Sequence, residues 1–572
     1  PDYPAPYFRG ANGGIYVRVK DIDGEEEHRQ IYHNDLYVVR RLRDVEIGEA
    51  IVMRLHLPKD GVREFTVPLT AVTSKEELRK QLSMQGIAVA RMDELMQYTT
   101  TWVNELQSQS EADEAHRQFG WSDDECKSFI LGNQEIFKDR VDFNPPSSQT
   151  VGLFPSFEPK GSLEGWKEAI NFYNRDDLVL HQFVVGTSFG SPLMQFLPIN
   201  CAGLHIHSKE SGVGKTTAME AGVSVWGSPE DLIIHERDTF NTKMNRGEVY
   251  HNLPLYMDEL TNTNGKELSN LAYQLTGGRQ RGRMSANSNT ERARGDAWKL
   301  LAVTTGNTSI VERISMIKAM PKAEAQRILE CRVSRIHFDT KEETDAFSSA
   351  IQNNYGHAGK VYIQYIMSNL DAVITLLEEV QEAVDRKAHL TAENRYWSVL
   401  ATSTIVGLIM AKRAGLIQYD TSKVFSWIIE RLKENKRQVA DMSISVEETL
   451  NDYIHEHWSN VLWIKSTDDL RKQDGDVTSL VIPEALPRVK LVARYETDLK
   501  RAYLIPKPLK AWCGKQQINY NSFVSDLITK LGAVRSKTRL SKGTHMNLPP
   551  TDVIIVDCSV ENENKTGNTE VK

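Results

Sequence analysis

Cysteine is scarce in this chain of 572 residues: Cys126, Cys201, Cys331, Cys513 and Cys558, far apart and odd in number. No two have CxxC spacing. That excludes a zinc knuckle and a disulfide framework, and a reducing, intracellular compartment is expected. Long apolar runs are missing too. A membrane span needs roughly 18–20 apolar residues. The longest candidate, residues 178–199, is interrupted by His181, Gln182 and Gln195, so no membrane is expected as a partner. The start of the chain has neither a basic n-region nor an apolar h-region, so no secretory signal is visible. No methionine opens it, and Pro1 reads as the start of a processed or truncated piece. No internal repeat is present. Positive charge is in deficit: 69 Lys and Arg against 77 Asp and Glu give a formal net charge of −8. A globally basic nucleic-acid coat is excluded, and any such binding needs a concentrated local patch.

What is present is ordinary globular composition, 40% hydrophobic and 26% charged, which also excludes whole-chain disorder. At roughly 100–200 residues per domain, about three to five domains are expected. Residues 1–118 read as an α+β domain. Strand-like alternation covers residues 14–20, 35–42 and 49–57, and helices are expected near 75 and over 92–109. Residues 119–200 read as a connecting β segment with helices. An α/β core follows over 201–340, a helical region over 341–444 and a separate α+β module over 445–560. The polar residues 561–572 read as disordered.

The strongest motif is Ser208-Lys-Glu-Ser-Gly-Val-Gly-Lys-Thr-Thr217. It lies between an apolar strand-like run and a helix-like run, the context a phosphate loop requires. Gly212 and Gly214 let the backbone curl until its N–H groups face a phosphate chain. Ser211, Val213 and Thr217 complete that cradle. Lys215 would reach the β and γ phosphates, and Thr216 would ligate Mg2+. The full pattern places glycine at position 209, where this chain has lysine. The bland alternative is a chance Gly-Lys-Thr.

Residues 252–260, Asn-Leu-Pro-Leu-Tyr-Met-Asp-Glu-Leu, form an apolar strand ending in two acids. Asp258 would hold the Mg2+ shell and Glu259 would polarise an attacking water. A plain strand cap is the competing reading. A third apolar run ends at Asn307, which would reach the γ-phosphate and the water. A lone Gly-Asn is otherwise a turn. Downstream, Arg332 or Arg335 would project onto the nucleotide of a neighbouring subunit, or is an ordinary surface arginine.

Between the acidic strand and the Asn307 strand lies an insert with five arginines and one acid, residues 277–294. Small polar residues 285–289 read as a hairpin tip. Arg279, Arg281, Arg283, Arg292 and Arg294 are candidates for gripping a DNA backbone. A merely solvated charged face is the alternative. Near the end, a helix over 520–531 is followed by Arg535, Lys537, Arg539 and Lys542. Helix then basic wing suggests a winged-helix-like module, with a packing or docking domain as the rival.

The order of phosphate loop, Asp-Glu strand, arginine insert, Asn strand and arginine resembles the superfamily 3 helicases of viruses and phages. Phe119-Gly-Trp, Gly165-Trp166, Ser211-Gly-Val-Gly-Lys-Thr-Thr-Ala, Val225-Trp-Gly, Leu255-Tyr-Met-Asp-Glu-Leu and Ala297-Trp-Lys-Leu are similar to signatures of a phage and mobile-element family. That family consists of helicase-like proteins, often known only as a domain of unknown function. The resemblance implies an α/β fold. Its AAA+-like P-loop ATPase core would sit between an N-terminal α+β domain and a C-terminal helical and winged-helix-like region. It also implies ATP and Mg2+ as cofactors, a hexameric ring of copies around single-stranded DNA, and an arginine hairpin lining the pore. A primase or polymerase is the implied partner and the cytoplasm of a bacterial host the implied location. The expected activity is ATP-driven unwinding during phage or mobile-element replication. Two rivals stay open: an ATP-driven initiator or assembly switch that binds DNA without unwinding it, and a small-molecule kinase.

Overall fold

The computed structural model describes residues 2–20, 24–44, 48–147, 149–210, 212–280, 296–317, 321–333, 341–441, 445–466, 490–516, 518–542, 544 and 548–559. They form two compact units, Pro1–Ile310 with Glu324–Asn435, and Val311–Ala323 with Lys436–Lys572.

The first unit opens with a three-stranded antiparallel sheet, β1 (Tyr7–Arg9), β2 (Ile15–Lys20) and β3 (Glu26–Tyr32). A second sheet follows from β4 (Asp35–Asp44), β5 (Gly48–Leu57), β6 (Gly61–Pro68) and β7 (Asp113–Glu114) in the order β6-β5-β4-β7. Alternation drives both, because every second side chain of a strand faces one side. Leu36, Ile51, Met53, Leu55 and Val67 share a buried cluster with residues of α1 (Lys75–Met84) and α2 (Met92–Gln109). Ser74 caps α1 and Glu76 and Glu77 fill its first turn, which satisfies orphan N–H groups and complements the helix dipole.

Strands β8 (Gly120–Trp121), β9 (Phe129–Leu131), β10 (Gln134–Ile136) and β11 (Val141–Phe143) form a small antiparallel sheet. Helices α3 (Leu163–Ile170) and α4 (Val179–Gly190) lead into β12 (Cys201–His207). Then come α5 (Lys215–Val223), α6 (Phe240–Tyr250), β13 (Leu255–Met257), α7 (Gly265–Gly277), β14 (Leu300–Gly306) and β15 (Ile328–Arg332). The central sheet has the order β13-β14-β12-β15, with every pair parallel. A parallel bridge from Ile234 to Met257 extends it beyond β13. β14 is buried throughout and β12 over all but its last residue, as expected of central parallel strands covered on both faces.

The long helices α8 (Leu370–Ala388), α9 (Arg395–Arg413) and α10 (Thr421–Asp441) follow. α9 packs on β12 and on α4. Its approach to α4 needs glycine on both sides. A Cβ at Gly190 would meet the Ser403 backbone at 2.8 Å, and one at Gly407 would meet the Gly190 nitrogen at 2.5 Å. Four fully buried tryptophans anchor the unit, each with its indole N–H donating: Trp166 to Ser224 Oγ, Trp226 to the Ser188 carbonyl, Trp298 to the Leu275 carbonyl and Trp397 to the Ala325 carbonyl. A buried indole without such a partner would carry a desolvation cost of about 1–3 kcal/mol.

The second unit is built on β16 (Val461–Ile464), β17 (Ala493–Glu496), β18 (Arg501–Leu504), β19 (Val534–Thr538) and β20 (Thr551–Asp557), in the order β16-β17-β18-β20-β19. Helices α11 (Val446–Glu456), α12 (Pro506–Lys515) and α13 (Tyr520–Leu531) supply Leu450, Tyr453, Leu509, Trp512, Phe523 and Leu527 to its core. Gly532, left-handed at φ +64, ends α13. Arg494 is buried in an ion pair with Glu496 (2.9 Å) and also donates to the carbonyls of Leu540 and Lys542. This fixes residues 540–542 to the sheet. Residues 561–572 lie outside the described residues. Among the described residues all five cysteines are free, and no helix is long and apolar enough to cross a membrane.

Candidate active site

The carboxyl ends of β12, β13 and β14 lie at one edge of the central sheet, where open α/β sheets form their binding crevices. Lys215, Thr216, Asp258 and Asn307 are joined there by hydrogen bonds. β12 runs out at His207, and α5 begins at Lys215. Gly212 (φ +72) and Gly214 (φ +78) between them are left-handed, a conformation costing other residues roughly 1–2 kcal/mol. Gly214 is the N-cap of α5, and the first turn of that helix holds no acid. The positive end of the helix dipole is therefore not offset by a carboxylate of its own.

The Lys215 ammonium donates to the Ser208 carbonyl (3.1 Å) and to Asn307 Oδ1 (3.0 Å). The Thr216 hydroxyl donates to Asp258 Oδ2 at 3.1 Å. The other Asp258 oxygen accepts from the Thr305 hydroxyl. That same hydroxyl oxygen accepts from the Glu259 N–H at 3.0 Å. Thr305 therefore orients both acids from β14, the strand lying between β12 and β13. Partial burial holds the Lys215 ammonium below its ordinary value, and Asp258 and Glu259 oppose that shift. Burial raises the Glu220 carboxyl one turn further along α5, and the charge of Asp258 adds to the rise.

This chain belongs to the family described as "Domain of unknown function (DUF927)", whose profile matches residues 8–295, half of the chain. The matched stretch includes Lys215, Thr216, Asp258 and Glu259, and stops before Asn307. Among solved structures, "SCCmec type IV Cch - active helicase" is similar with a TM-score of 0.62 and 16% identity, over 97% of this chain and 98% of that one. At that identity the likeness is one of fold. No curated protein sequence matches.

In this DUF927 member Arg332 is exposed at the carboxyl end of β15 and is paired in register with His207. It shares the sheet edge with Lys215, but on the far side of β12 from Asp258. Arg279 lies at the other end of the sheet. It follows Gly278, whose carbonyl accepts from the Trp298 N–H just before β14, and Gly278 abuts Asn200 just before β12. The seven residues of β12 separate it from Lys215 by about 20 Å at ~3.3 Å per residue. Val213 is buried and Thr217 half-buried. Ser211, Arg281, Arg283, Arg292, Arg294 and Arg335 lie outside the described residues.

Hard oxygen donors suit Mg2+, which takes one or two carboxylates and leaves its other positions to water and phosphate. The Thr216 hydroxyl and Asp258 carboxylate, 3.1 Å apart, fit that requirement. Among the described residues no larger His, Cys, Asp and Glu cluster stands ready for a metal.

Sequence reasoning missed Thr305; it reads His205 as a core residue rather than a ligand, and His205 is indeed buried. The signal for Thr305 was there: two threonines in an otherwise apolar run. His205 Nε2 faces the Thr308 carbonyl at 3.0 Å and Nδ1 faces the Thr304 hydroxyl at 2.8 Å. A carbonyl only accepts, so Nε2 carries the proton and Nδ1 accepts from Thr304. The neutral ring thereby holds both sides of the turn that presents Asn307. Burial pushes His205 down to about 4, with Lys215 adding to the shift, and burial does the same to His181 and His251.

These three histidines stay neutral in the folded chain down to about pH 4, whereas the unfolded chain protonates them near 6.5. Between those values the unfolded state binds more protons, so stability falls as pH falls. Tm should drop between pH 6.5 and 5, by up to about 1.4 kcal/mol of stability per pH unit for each histidine. Thermal unfolding across that range checks it, and a flat Tm would mean the rings are not buried neutral.

Proposed function

We propose that this chain is the ATP-hydrolysing motor of a superfamily 3-like helicase, a P-loop enzyme that assembles into a ring and moves along single-stranded DNA. One observation carries the reading: the Lys215–Asn307 and Thr216–Asp258–Thr305–Glu259 hydrogen bonds across the ends of three adjacent parallel strands. The strand that leads to Asn307 lies between the strand before Lys215 and the Asp-Glu strand. It brings binding, base and water-orienting groups to one point. Helicase-like function is further supported by the fold likeness over nearly the whole chain.

In this mechanism Lys215 exchanges Asn307 and Ser208 for the β and γ phosphates of ATP. The N–H groups of residues 211–217 receive the phosphate oxygens. Thr216 and Asp258 would hold Mg2+, which when bound would neutralise charge on the phosphates. Glu259 accepts a proton from water as the water oxygen attacks the γ-phosphorus and the bond to ADP breaks. Asn307 orients that water. Arg332, with Arg335 as the alternative, reaches the γ-phosphate of a neighbouring subunit and stabilises the charge that develops there. Arg279, Arg281, Arg283, Arg292 and Arg294 grip the DNA backbone. Six copies around one axis would concentrate their charge in a chain that is acidic overall. The order α12, α13, β19, β20 supports a winged-helix-like module in the second unit. A replication setting, with a primase or polymerase alongside in the bacterial cytoplasm, completes the reading.

The test is ATP turnover with and without single-stranded DNA, alongside a mass measurement. The expected result is a multimer whose turnover rises with DNA and which opens a forked duplex. Arg281→Ala with Arg283→Ala should leave DNA-free turnover intact and abolish the stimulation. A strict monomer with DNA-independent turnover would refute the motor. DNA stimulation without unwinding would favour an initiator or assembly switch.

A further inference from the structure

The second unit carries an exposed aromatic face whose rings are already ordered. Trp458 is 54% exposed. Its ring centroid is 4.1 Å from that of Trp463, and Trp463 is 5.0 Å from Tyr495. The parallel pairing of β16 with β17 sets Trp463 opposite Tyr495. The Trp463 indole N–H donates to the Trp458 carbonyl at 3.3 Å. A three-ring ladder thus holds its outermost ring in place, which removes part of the ordering cost of binding.

Beside this ladder lies a groove of ≈ 340 Å³. His457, Asn460, Lys490, Lys507, Trp512 and Lys515 line it, and among the described residues no carboxylate does. Lys507, Ala511 and Lys515 recur at every fourth position of α12 and are exposed, so they form one stripe along the helix. The carboxylate of Glu456, which precedes His457, is already engaged by the Trp512 indole N–H and the Gln516 amide. The groove is therefore cationic, and two of its lining residues, His457 and Asn460, flank the exposed Trp458 in sequence. Phosphates suit the lysines, and a base suits the ring. Only an unpaired base offers a free face, because a duplex hides its base faces in the stack.

We propose that this face binds single-stranded nucleic acid, with Trp458 stacking on an unpaired base and Lys490, Lys507 and Lys515 pairing with the adjacent phosphates. The site lies outside the stretch matched by the family and shares no residue with the nucleotide site or the arginine insert. It needs no ATP, so the experiment omits nucleotide. Its failure would leave the motor reading standing, and failure of the motor reading would leave this one standing.

The test uses the full chain and oligo(dT) carrying iododeoxyuridine, with light-induced adducts mapped by mass spectrometry. An adduct is expected on Trp458 or Trp463. Trp458→Ala should remove it and weaken oligo(dT) binding about tenfold, in line with the usual worth of one stacked base. Trp458→Phe should restore most of the binding, which a folding defect would not allow. Lys507→Gln with Lys515→Gln should flatten the salt dependence of log K by about 1.4, at ~0.7 per lost phosphate contact on a single strand. No adduct within residues 457–515, or wild-type affinity in Trp458→Ala, overturns the proposal. Equal binding of a fully paired hairpin, or displacement by polyglutamate at matched charge, overturns it as well. The first would point to duplex and the second to an acidic protein segment.

Discussion

Lys215→Ala is expected to cut ATP turnover about a thousandfold. The side chain is partly buried, its ammonium is held below the ordinary lysine value, and two acids lie close enough to oppose that shift. A unit charge about 4 Å from a phosphate oxygen interacts by roughly 4 kcal/mol at the effective dielectric of a protein surface, which is about three decades of rate. The loss should not be one of folding. Lys215 opens α5 after a left-handed glycine, and alanine is the best helix former. Its hydrogen bonds to Ser208 and Asn307 tie the loop to β14 but bury little surface. Steady-state turnover and thermal unfolding of the same preparation decide the matter. A thousandfold loss with Tm unchanged supports the assigned role. Turnover within about threefold of the unsubstituted chain, less than one charge contact is worth, would remove Lys215 from the phosphate site.

Glu259→Gln is expected to lower turnover by a factor of about 10²–10⁴, the usual worth of a general base, while nucleotide binding survives. Glutamine keeps the shape and the backbone contact to Thr305 but cannot take a proton. ATP should therefore stay bound, and binding by fluorescent nucleotide should separate the two effects. The backbone supplies a second readout. Glu259 sits at φ 56, ψ 65, left-handed for a residue that is not glycine, at a cost on the order of 1–3 kcal/mol. Its N–H bond to Thr305 holds it there. Glu259→Gly should accordingly raise Tm while turnover collapses. A protein that becomes more stable as it loses activity is what strain retained for chemistry predicts. Near-normal turnover in Glu259→Gln would mean that another group activates the water. An unchanged or lower Tm in Glu259→Gly would mean that no strain is stored there.

Much of the local structure was legible because it rests on local signals. The helices over 92–109 and 520–531 follow from apolar spacing and from Gly532 as a stop, and β2, β4 and β5 follow from alternation. The loop before Lys215 was legible from its two glycines. The recurring tryptophan signatures were visible as a pattern but not in their role. Trp166, Trp226 and Trp298 are buried anchors with satisfied indole groups, and no sequence pattern separates such an anchor from a binding ring. Trp458 is the opposite case, an exposed ring with nothing in its immediate sequence to mark it.

By itself the sequence determined which residue types stand at which points of the chain: a glycine loop ending in Lys215 and Thr216, a strand ending in Asp258 and Glu259, and an arginine-dense insert in an acidic chain. The tertiary structure alone decided their arrangement. It set β14 between β12 and β13, so that Asn307 meets Lys215 and Thr305 steadies both acids. It grouped residues 311–323 with the C-terminal unit, although they lie amid the α/β stretch. It kept Arg279 at the far end of the sheet and ordered Trp458, Trp463 and Tyr495 beside a lysine groove. The physical reason is the same in each case. Parallel strands pair across long separations through backbone groups that every residue carries. Partner choice is therefore settled by the packing of whole elements, and local residue patterns cannot express it.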